Sequence, residues 1–396
     1  MKARPRVILT VETSTIYGRR LLNGVARFQR SLGGWSVLLD GGQVHGIEPP
    51  NFEDIECEGI LCRLTSPDWV EALKRSKVPV VDLNDRHGYL GLPRVSSDML
   101  AIGRIAAEHL LDRGFRNIAF CGMANLNWSN ERRAGVEAAV RERGNFCGWT
   151  DTEQEFQPRK NWSSEREKMS KWLLSLPRPL GIVACNDATA YSVLDACRSL
   201  DIAVPEEIAL VGVDNAEIFC ELCDPPLSSV VPDAERVGFE AARLLDRMMA
   251  GEKFENFNLL LPPREVKTRR SSDVLAIDDA AIAAALRYVR EHACAGIDVS
   301  KVVSHVGVSR SALERGFRSY LGHSPQEEIR RVRLEKVKQL LIETDWSLTR
   351  IAEVSGFDYP NYIMVQFKRA FDQTPSQWRK HNQSNFTESL TQYPQT

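Results

Sequence analysis

The chain has 396 residues, 43% of them hydrophobic, and a formal charge of -2. That length exceeds one ordinary core and implies two or three domains, and the composition excludes an extended disordered protein. Nine cysteines without a repeated spacing argue against a disulfide framework, and no apolar run reaches membrane length. The five-residue apolar run at 7–11 is too short for a secretory leader, so a cytoplasmic location without membrane contact is expected.

From residue 6 to about 262, short β-branched runs alternate with segments of helical periodicity. Residues 6–11, 35–39, 59–62, 78–83, 117–121, 181–185, 208–213 and 227–231 read as strands. The first helix is expected at 18–31, with Leu21, Leu22, Val25 and Phe28 on one face. Others are expected at 68–75, 99–113, 132–143, 187–200 and 234–249, two of them stopped by Gly114 and Gly144. This alternation predicts an α/β unit of two lobes, each a parallel sheet with helices on both faces, with about ten strands in all. Ligands of such sheets bind beyond the carboxyl ends of strands. Asp187 and Asp214 stand at such positions, although helix capping would also explain them. The Pro- and Arg-rich stretch 261–273 marks a boundary. The expected organisation is an α/β domain at 1–262, a linker at 263–277, an all-α domain at 278–382 and a disordered tail at 383–396.

Residues 299–330 and 348–379 repeat one pattern: an amphipathic run, a Gly turn, and a second run ending in Phe-basic and Ser/Thr-Pro. Gly307 matches Gly356, Phe317-Arg318 matches Phe367-Lys368, and Ser324-Pro325 matches Thr374-Pro375. Helix, Gly-containing turn, helix is the form of a helix-turn-helix, so two such units are predicted. Ile329, Val332, Val337, Leu340 and Leu341 place one joining helix between them. Residues 275–382 carry 16 basic and 13 acidic side chains, a net +3 that leaves -5 for the rest. The sign suits a segment that meets double-stranded DNA. The second helix of each unit should present its first residues to base edges. These are Ser309, Arg310, Ser311, Glu314 and Arg315 in the first unit, and Asp358, Tyr359, Asn361 and Tyr362 in the second. Arg310 and Arg315 can pair with guanine, Glu314 can accept from cytosine and Asn361 can read adenine. Arg318, Lys368 and Arg369 are better placed for phosphate, while Leu313, Phe317, Phe357, Phe367 and Trp378 read as core.

With these motifs in view, residues 296–380 resemble the AraC/XylS-type DNA-binding domain. The second unit carries the most specific match: Ser347-Leu348, Ile351-Ala352, Gly356-Phe357, Phe367-Lys368-Arg369, Thr374-Pro375 and Trp378-Arg379. Residues 6–270 resemble the periplasmic-binding-protein-like sensor of the lac-repressor and ribose-binding families. That match runs through 95–98, His109-Leu110, Gly114-Phe115, Asn186-Asp187, Val204-Pro205, 211–215 and 227–230. Sensor first and AraC-type domain second is an order similar to that of the bacterial xylose operon regulators. The resemblance implies a transcription regulator of carbohydrate utilisation genes, an activator, controlled by a small sugar such as the pentose xylose. It places Arg132, Asp187 and Asp214 on the sugar, with Trp128, Tyr17 and Asn84 as further walls of the cleft. It also implies a homodimer on an operator and, for an activator, contact with RNA polymerase. The competing reading, an enzyme acting on a sugar or nucleotide, needs an acid/base pair or phosphate loop; no Walker A, G-x-G-x-x-G, H-E-x-x-H or G-x-S-x-G pattern occurs. No cofactor or metal is expected, since Cys220-x-x-Cys223 is a lone pair that reads as packing.

Overall fold

The computed structural model describes residues 4–32, 34–40, 56–63, 66–141, 143–152, 162–274, 276–277 and 279–380. They fall into two compact units, 1–274 and 275–396. In chain order, the first unit begins with β1 (Arg6–Thr10), α1 (Ile16–Ser31), β2 (Ser36–Asp40), β3 (Gly59–Cys62), α2 (Pro67–Arg75), β4 (Val80–Asp82) and β5 (Arg94–Ser97). There follow α3 (Met99–Asp112), β6 (Asn117–Met123), α4 (Asn127–Val140), β7 (Asn145–Thr152), α5 (Trp162–Ser175), β8 (Leu180–Ala184) and α6 (Asp187–Ser199). It closes with β9 (Ile208–Val213), α7 (Glu217–Leu222), β10 (Ser228–Val231), α8 (Ala234–Met249), β11 (Asn258–Leu261) and β12 (Glu265–Lys267).

These strands form two six-stranded sheets, in the orders β11-β5-β4-β3-β1-β2 and β12-β10-β9-β8-β6-β7. All pairings are parallel except that of β12 with β10. Every residue of β8 and β9 is buried, as a strand covered on both faces requires. The chain passes between the sheets after β5, after β10 and after β11, so three segments join the lobes. Each lobe also holds a helix pair in close approach. A Cβ on Gly24 or Gly238 would strike the backbone of the facing helix in the α1–α8 pair, and Gly103 and Gly135 do the same for α3–α4. The Gly103 contact is with the carbonyl of Arg132, so the helix carrying that arginine is fixed at backbone level.

Several elements depart from expectation for local reasons. Helix α4 starts at Asn127, not 132, and brings Trp128 onto the same helix as Arg132. Strand β7 is only half-buried along an edge and has no apolar run, while α7 has six residues, too few to show a period. The expected linker at 263–277 needs correction. Its first part contains β12, and Ser271 and Ser272 are fully buried and hydrogen-bonded beneath β9 and β10. Proline and arginine mark the composition of a connector, yet the serines supply enough donors and acceptors to lock it into the sheet.

In the second unit, α9 (Ala280–His292) begins at the N-cap Asp279 and ends in a 3-10 turn at Ala293–Ala295. Helices α10 (Val299–Val306) and α11 (Arg310–Leu321) form the first helix-turn-helix, and α13 (Leu348–Val354) and α14 (Pro360–Phe371) the second. Between them runs α12 (Pro325–Glu343), started by a capping box from Ser324 and Glu327. Gly307 caps α10 at φ +69°, and Gly356 stands at φ +73° where a Cβ would lie 2.8 Å from the Cys294 carbonyl. Glycine is required at both turns. Helix α12 buries Ile329, Leu334, Val337, Leu340 and Leu341; Val332 is only half-buried. Arg333 donates to the carbonyls of Ala293 and Ile297 at 2.8 and 2.7 Å, and Arg379 donates to those of Leu341 and Trp346 at 3.3 and 2.6 Å. The turn that leads into α10 and the segment after α14 are thereby each pinned to α12 or its C-terminal end. The tail at 383–396 lies outside the described residues.

Candidate ligand cleft and DNA-reading helices

Three charged side chains follow strands of the first lobe and interlock. Arg63, just after β3, pairs with Glu12 beyond β1 and, at 2.8 Å, with Asp85 beyond β4. Its guanidinium lies 4.9 Å from the ring centroid of Tyr17, whose hydroxyl is 2.8 Å from Ser97 Oγ. In the second lobe, Arg132 stacks 4.8 Å over Trp128 one turn earlier on α4. Arg132 also donates to the Cys185 carbonyl and stands 3.7 Å from an Asp214 carboxylate oxygen. The lobes meet where Arg20 of α1 donates to the carbonyls of Asp214 and Asn215, at 2.7 and 2.9 Å.

These charged groups act on one another across the cleft. Burial pushes the Asp214 carboxyl up; Arg132 draws it down, Asp85 raises it again, and Arg63 and Arg20 lower it. The Tyr17 hydroxyl is pushed up by burial, and Asp85 from its own lobe and Asp214 from the other both add to that. Four buried polar atoms here, Glu12 Oε2, Arg63 Nε, Asp85 Oδ1 and Arg132 Nε, have no hydrogen-bond partner among the described residues. Leaving such a group unsatisfied costs about 1–3 kcal/mol. Two are acceptors and two are donors, a set that alternating hydroxyls can satisfy.

One expected wall residue, Asn84, and one expected sugar ligand, Asp187, are bonded within the protein. Asn84 is fully buried and spent on its own loop: its Oδ1 accepts from the amides of Arg86 and His87, and its Nδ2 donates to the His87 carbonyl. Asp187 is 3% exposed and receives Ser229 Oγ at 2.6 Å, the Ala216 amide at 2.7 Å and Cys220 Sγ at 3.4 Å. Burial, then Asp214, push its carboxyl up to about 7. It therefore stands behind the Asp214 loop and positions it; the N-cap of α6 is its neighbour Asn186. Cys220 and Cys223 lie in the apolar core of this lobe. The sequence reading missed Glu12, Arg63, Asp85 and Arg20. The first three follow strands, so the rule that selected Asp214 applied to them equally.

On α11, Arg310, Ser311, Arg315 and Arg318 are exposed, Ser309 caps the helix by accepting from the Ala312 amide, and half-buried Glu314 lies 3.5 Å from Arg310. On and before α14, Asp358, Tyr359, Asn361, Tyr362, Lys368 and Arg369 are all exposed. Met364 and Val365 share that exposure, which gives the second helix an apolar surface the sequence reading did not mark. Leu313, Phe317, Phe357 and Phe367 are buried as expected, and Trp378 packs on Phe367 and Phe371. No helix among the described residues is long and apolar enough to cross a membrane.

Comparison with known proteins covers both units. The periplasmic binding protein-like domain matches residues 107–272, and a helix-turn-helix domain matches 302–381. The xylose operon regulatory protein of Haemophilus influenzae is 30% identical over 94% of this chain and 98% of its own length. That of Escherichia coli K12 is 31% identical over 96% and 98%. Among solved structures, a xylose-binding transcription activator is similar with a TM-score of 0.79 and 30% identity, covering 96% of this chain and 99% of that one. A periplasmic binding protein/LacI regulator from Alkaliphilus metalliredigens, complexed with D-xylulofuranose, shares the fold of the first unit at 18% identity and a TM-score of 0.54.

Proposed function

The chain belongs to the family of the xylose operon regulatory proteins, transcription regulators with a helix-turn-helix DNA-binding domain, and on that premise we propose that it is a cytoplasmic activator switched by xylose or a close pentose. Sensing resides in 1–262 with its extension to 274, and DNA reading in 278–382. The observation that carries the sugar reading is the set of four unpartnered buried atoms on Glu12, Arg63, Asp85 and Arg132, drawn from both lobes. Together with the Asp214 carboxylate they match a ring of hydroxyls, and Trp128 and Tyr17 supply apolar faces for its C–H edges. A ligand bridging the lobes favours their closed arrangement and so shifts the population toward it. The chain works as a homodimer, since paired sites raise effective concentration on DNA, and it recruits RNA polymerase. Arg310, Arg315 and Asn361 contact bases, supported by Ser309, Ser311, Glu314, Asp358, Tyr359 and Tyr362; Arg318, Lys368 and Arg369 contact phosphates. Its relatives over almost the full chain are transcription regulators, which supports a regulatory rather than an enzymatic role.

Titration calorimetry with xylose, arabinose, ribose and glucose tests this reading. Xylose at a hundred times its Kd should also add roughly 2.7 kcal/mol of stability. Asp214→Ala should lose xylose binding by about 100-fold while sugar-free DNA binding persists, a loss of about 2.7 kcal/mol that suits a buried charged hydrogen bond. Unchanged xylose affinity in that variant would remove Asp214 from the site.

A further inference from the structure

The loop carrying Asp214 is held from three directions. Arg20 of the first lobe grips its carbonyls. Ser229 and Asp187 accept and fix it from below, through the amides of Asn215 at 2.9 Å and Ala216 at 2.7 Å. From the third side, Asn215 Oδ1 accepts from Arg269 at 2.9 Å. Asp214 and Asn215 both adopt positive φ, +102° and +44°, a conformation that persists only where surrounding bonds over-determine it.

Arg269 belongs to the last stretch of the first unit, which ends at Val274. Its guanidinium also donates to Glu221 at 2.5 Å and to the Leu227 carbonyl at 3.0 Å, so one buried group ties the ligand loop, α7 and the start of β10 to the departing chain. Around it the backbone is fastened without slack. The Arg269 amide donates to Ser228 Oγ at 2.7 Å, and the Ser271 amide to the Pro226 carbonyl at 2.9 Å. Ser271 Oγ donates to the Leu210 carbonyl at 2.7 Å, and Ser272 Oγ to Ser228 Oγ at 2.8 Å. Arg269 Nη2 alone of this guanidinium finds no partner among the described residues; a densely bonded polar network in a close-packed interior moves as a unit rather than deforming locally.

We propose that Arg269 is the coupling residue of this regulator: it links the Asp214–Asn215 loop in the cleft to the 269–272 segment through which the chain leaves for the DNA-binding unit. Lobe closure acts on the loop through Arg20, and the loop acts on the exit segment through Arg269. The functional half of this inference rests on the sugar reading of the cleft; the mechanical half does not. Arg269 bonds Glu221, Asn215 Oδ1 and the Leu227 carbonyl and none of the charged side chains that face the cleft, so its role is separable from affinity. Coupling between two sites is reciprocal, so loss of the link should free each site from the other without emptying either.

The test uses the full chain. Arg269→Gln removes the link, and Arg269→Lys retains the charge for Glu221 while losing the fork that also reaches Asn215 and Leu227. Both should bind xylose within about threefold of wild type and bind DNA normally without sugar, while the xylose-dependent change in DNA affinity falls below about twofold, against the 5–150-fold typical of such couplings. A full wild-type response in both variants overturns the proposal. A separate arm needs no ligand. Asn215→Gly, which keeps the positive φ without strain, should speed amide exchange at Arg269 and Ser271 by about tenfold. Wild-type exchange there overturns the link even if Arg269→Gln fails to fold. If the wild type itself binds no xylose, the sugar reading fails, and the exchange arm still decides the link.

Discussion

The cleft and the DNA-reading helices hold charge in opposite ways. In the cleft, Arg63 is 10% exposed between two carboxylates that are 1% and 6% exposed, and Arg132 is enclosed by Trp128, a carbonyl and Asp214. On α11 and α14, Arg315, Arg318, Lys368 and Arg369 stand in solvent. Buried charges gain little net stability from pairing, because desolvation offsets most of the attraction. They do become rigid and insensitive to salt. Solvated charges remain adaptable and are screened within about 10 Å at ordinary ionic strength. On the proposed reading, the difference teaches that one half is pre-organised for a single neutral ligand of fixed shape, while the other waits for a polyanion.

The largest effect that can break this comparison lies at Arg63. Arg63→Ala leaves Glu12 and Asp85 facing each other without their common cation. Removal of one partner of a buried pair costs about 3–5 kcal/mol, which lowers Tm by the order of 10 °C for a domain of this size. Calorimetric unfolding should show the loss in the transition of the first unit alone, and added salt should not restore it. A change below 1 kcal/mol would mean that the trio behaves as a surface cluster.

What the sequence disclosed follows the same division. The helix-turn-helix pair was legible because its signals are local: Gly307 and Gly356 at left-handed turns, and Phe317 and Phe367 at a fixed spacing from Ser324-Pro325 and Thr374-Pro375. Two-lobe α/β architecture was legible from alternation, and position and resemblance singled out Asp214 and Arg132, which stand 3.7 Å apart in the fold. Interlocking was not. Nothing near Asp187 in the chain announces that its carboxylate will be consumed by Ser229 and Ala216, which are 42 and 29 residues away. Asn84 was misplaced for a different reason, since an Asn after a strand serves equally to cap its own turn. The buried serines at 271 and 272 escaped because polar composition reads as solvent exposure until a partner carbonyl is known.

The DNA-reading face should show intermediate effects that differ between its two helices. Arg315→Ala is expected to cost about 1–3 kcal/mol of operator affinity and to relax preference at one base pair, whereas Lys368→Ala should weaken all sequences alike and reduce the salt slope by about one. Fluorescence anisotropy against salt separates the two. Helix α14 also exposes Tyr362, Met364 and Val365, with Tyr359 at its N-cap, so Val365→Ser should impair affinity with no change of salt slope, as apolar contact with a thymine methyl requires. Equal salt slopes for wild type and Lys368→Ala would contradict the phosphate assignment.

The last effect concerns pH and sharpens the contrast from the cleft side. Asp187 titrates near 7 in the folded chain because burial, then Asp214, disfavour its charge, whereas an unfolded Asp titrates near 3.9. A raised native pKa means that the folded state holds a proton the unfolded state has released. The associated stability is fully present below about pH 4 and is lost as pH rises through about 7. Asp187→Asn keeps an acceptor for the Ala216 amide but carries no titratable proton, so its stability should be flatter than wild type across that window. Chemical denaturation of both forms from pH 4 to 8 reads the difference directly. Parallel curves would show that Asp187 is ionised in the folded protein throughout, and that its three donors, rather than its burial, govern the charge behind the Asp214 loop.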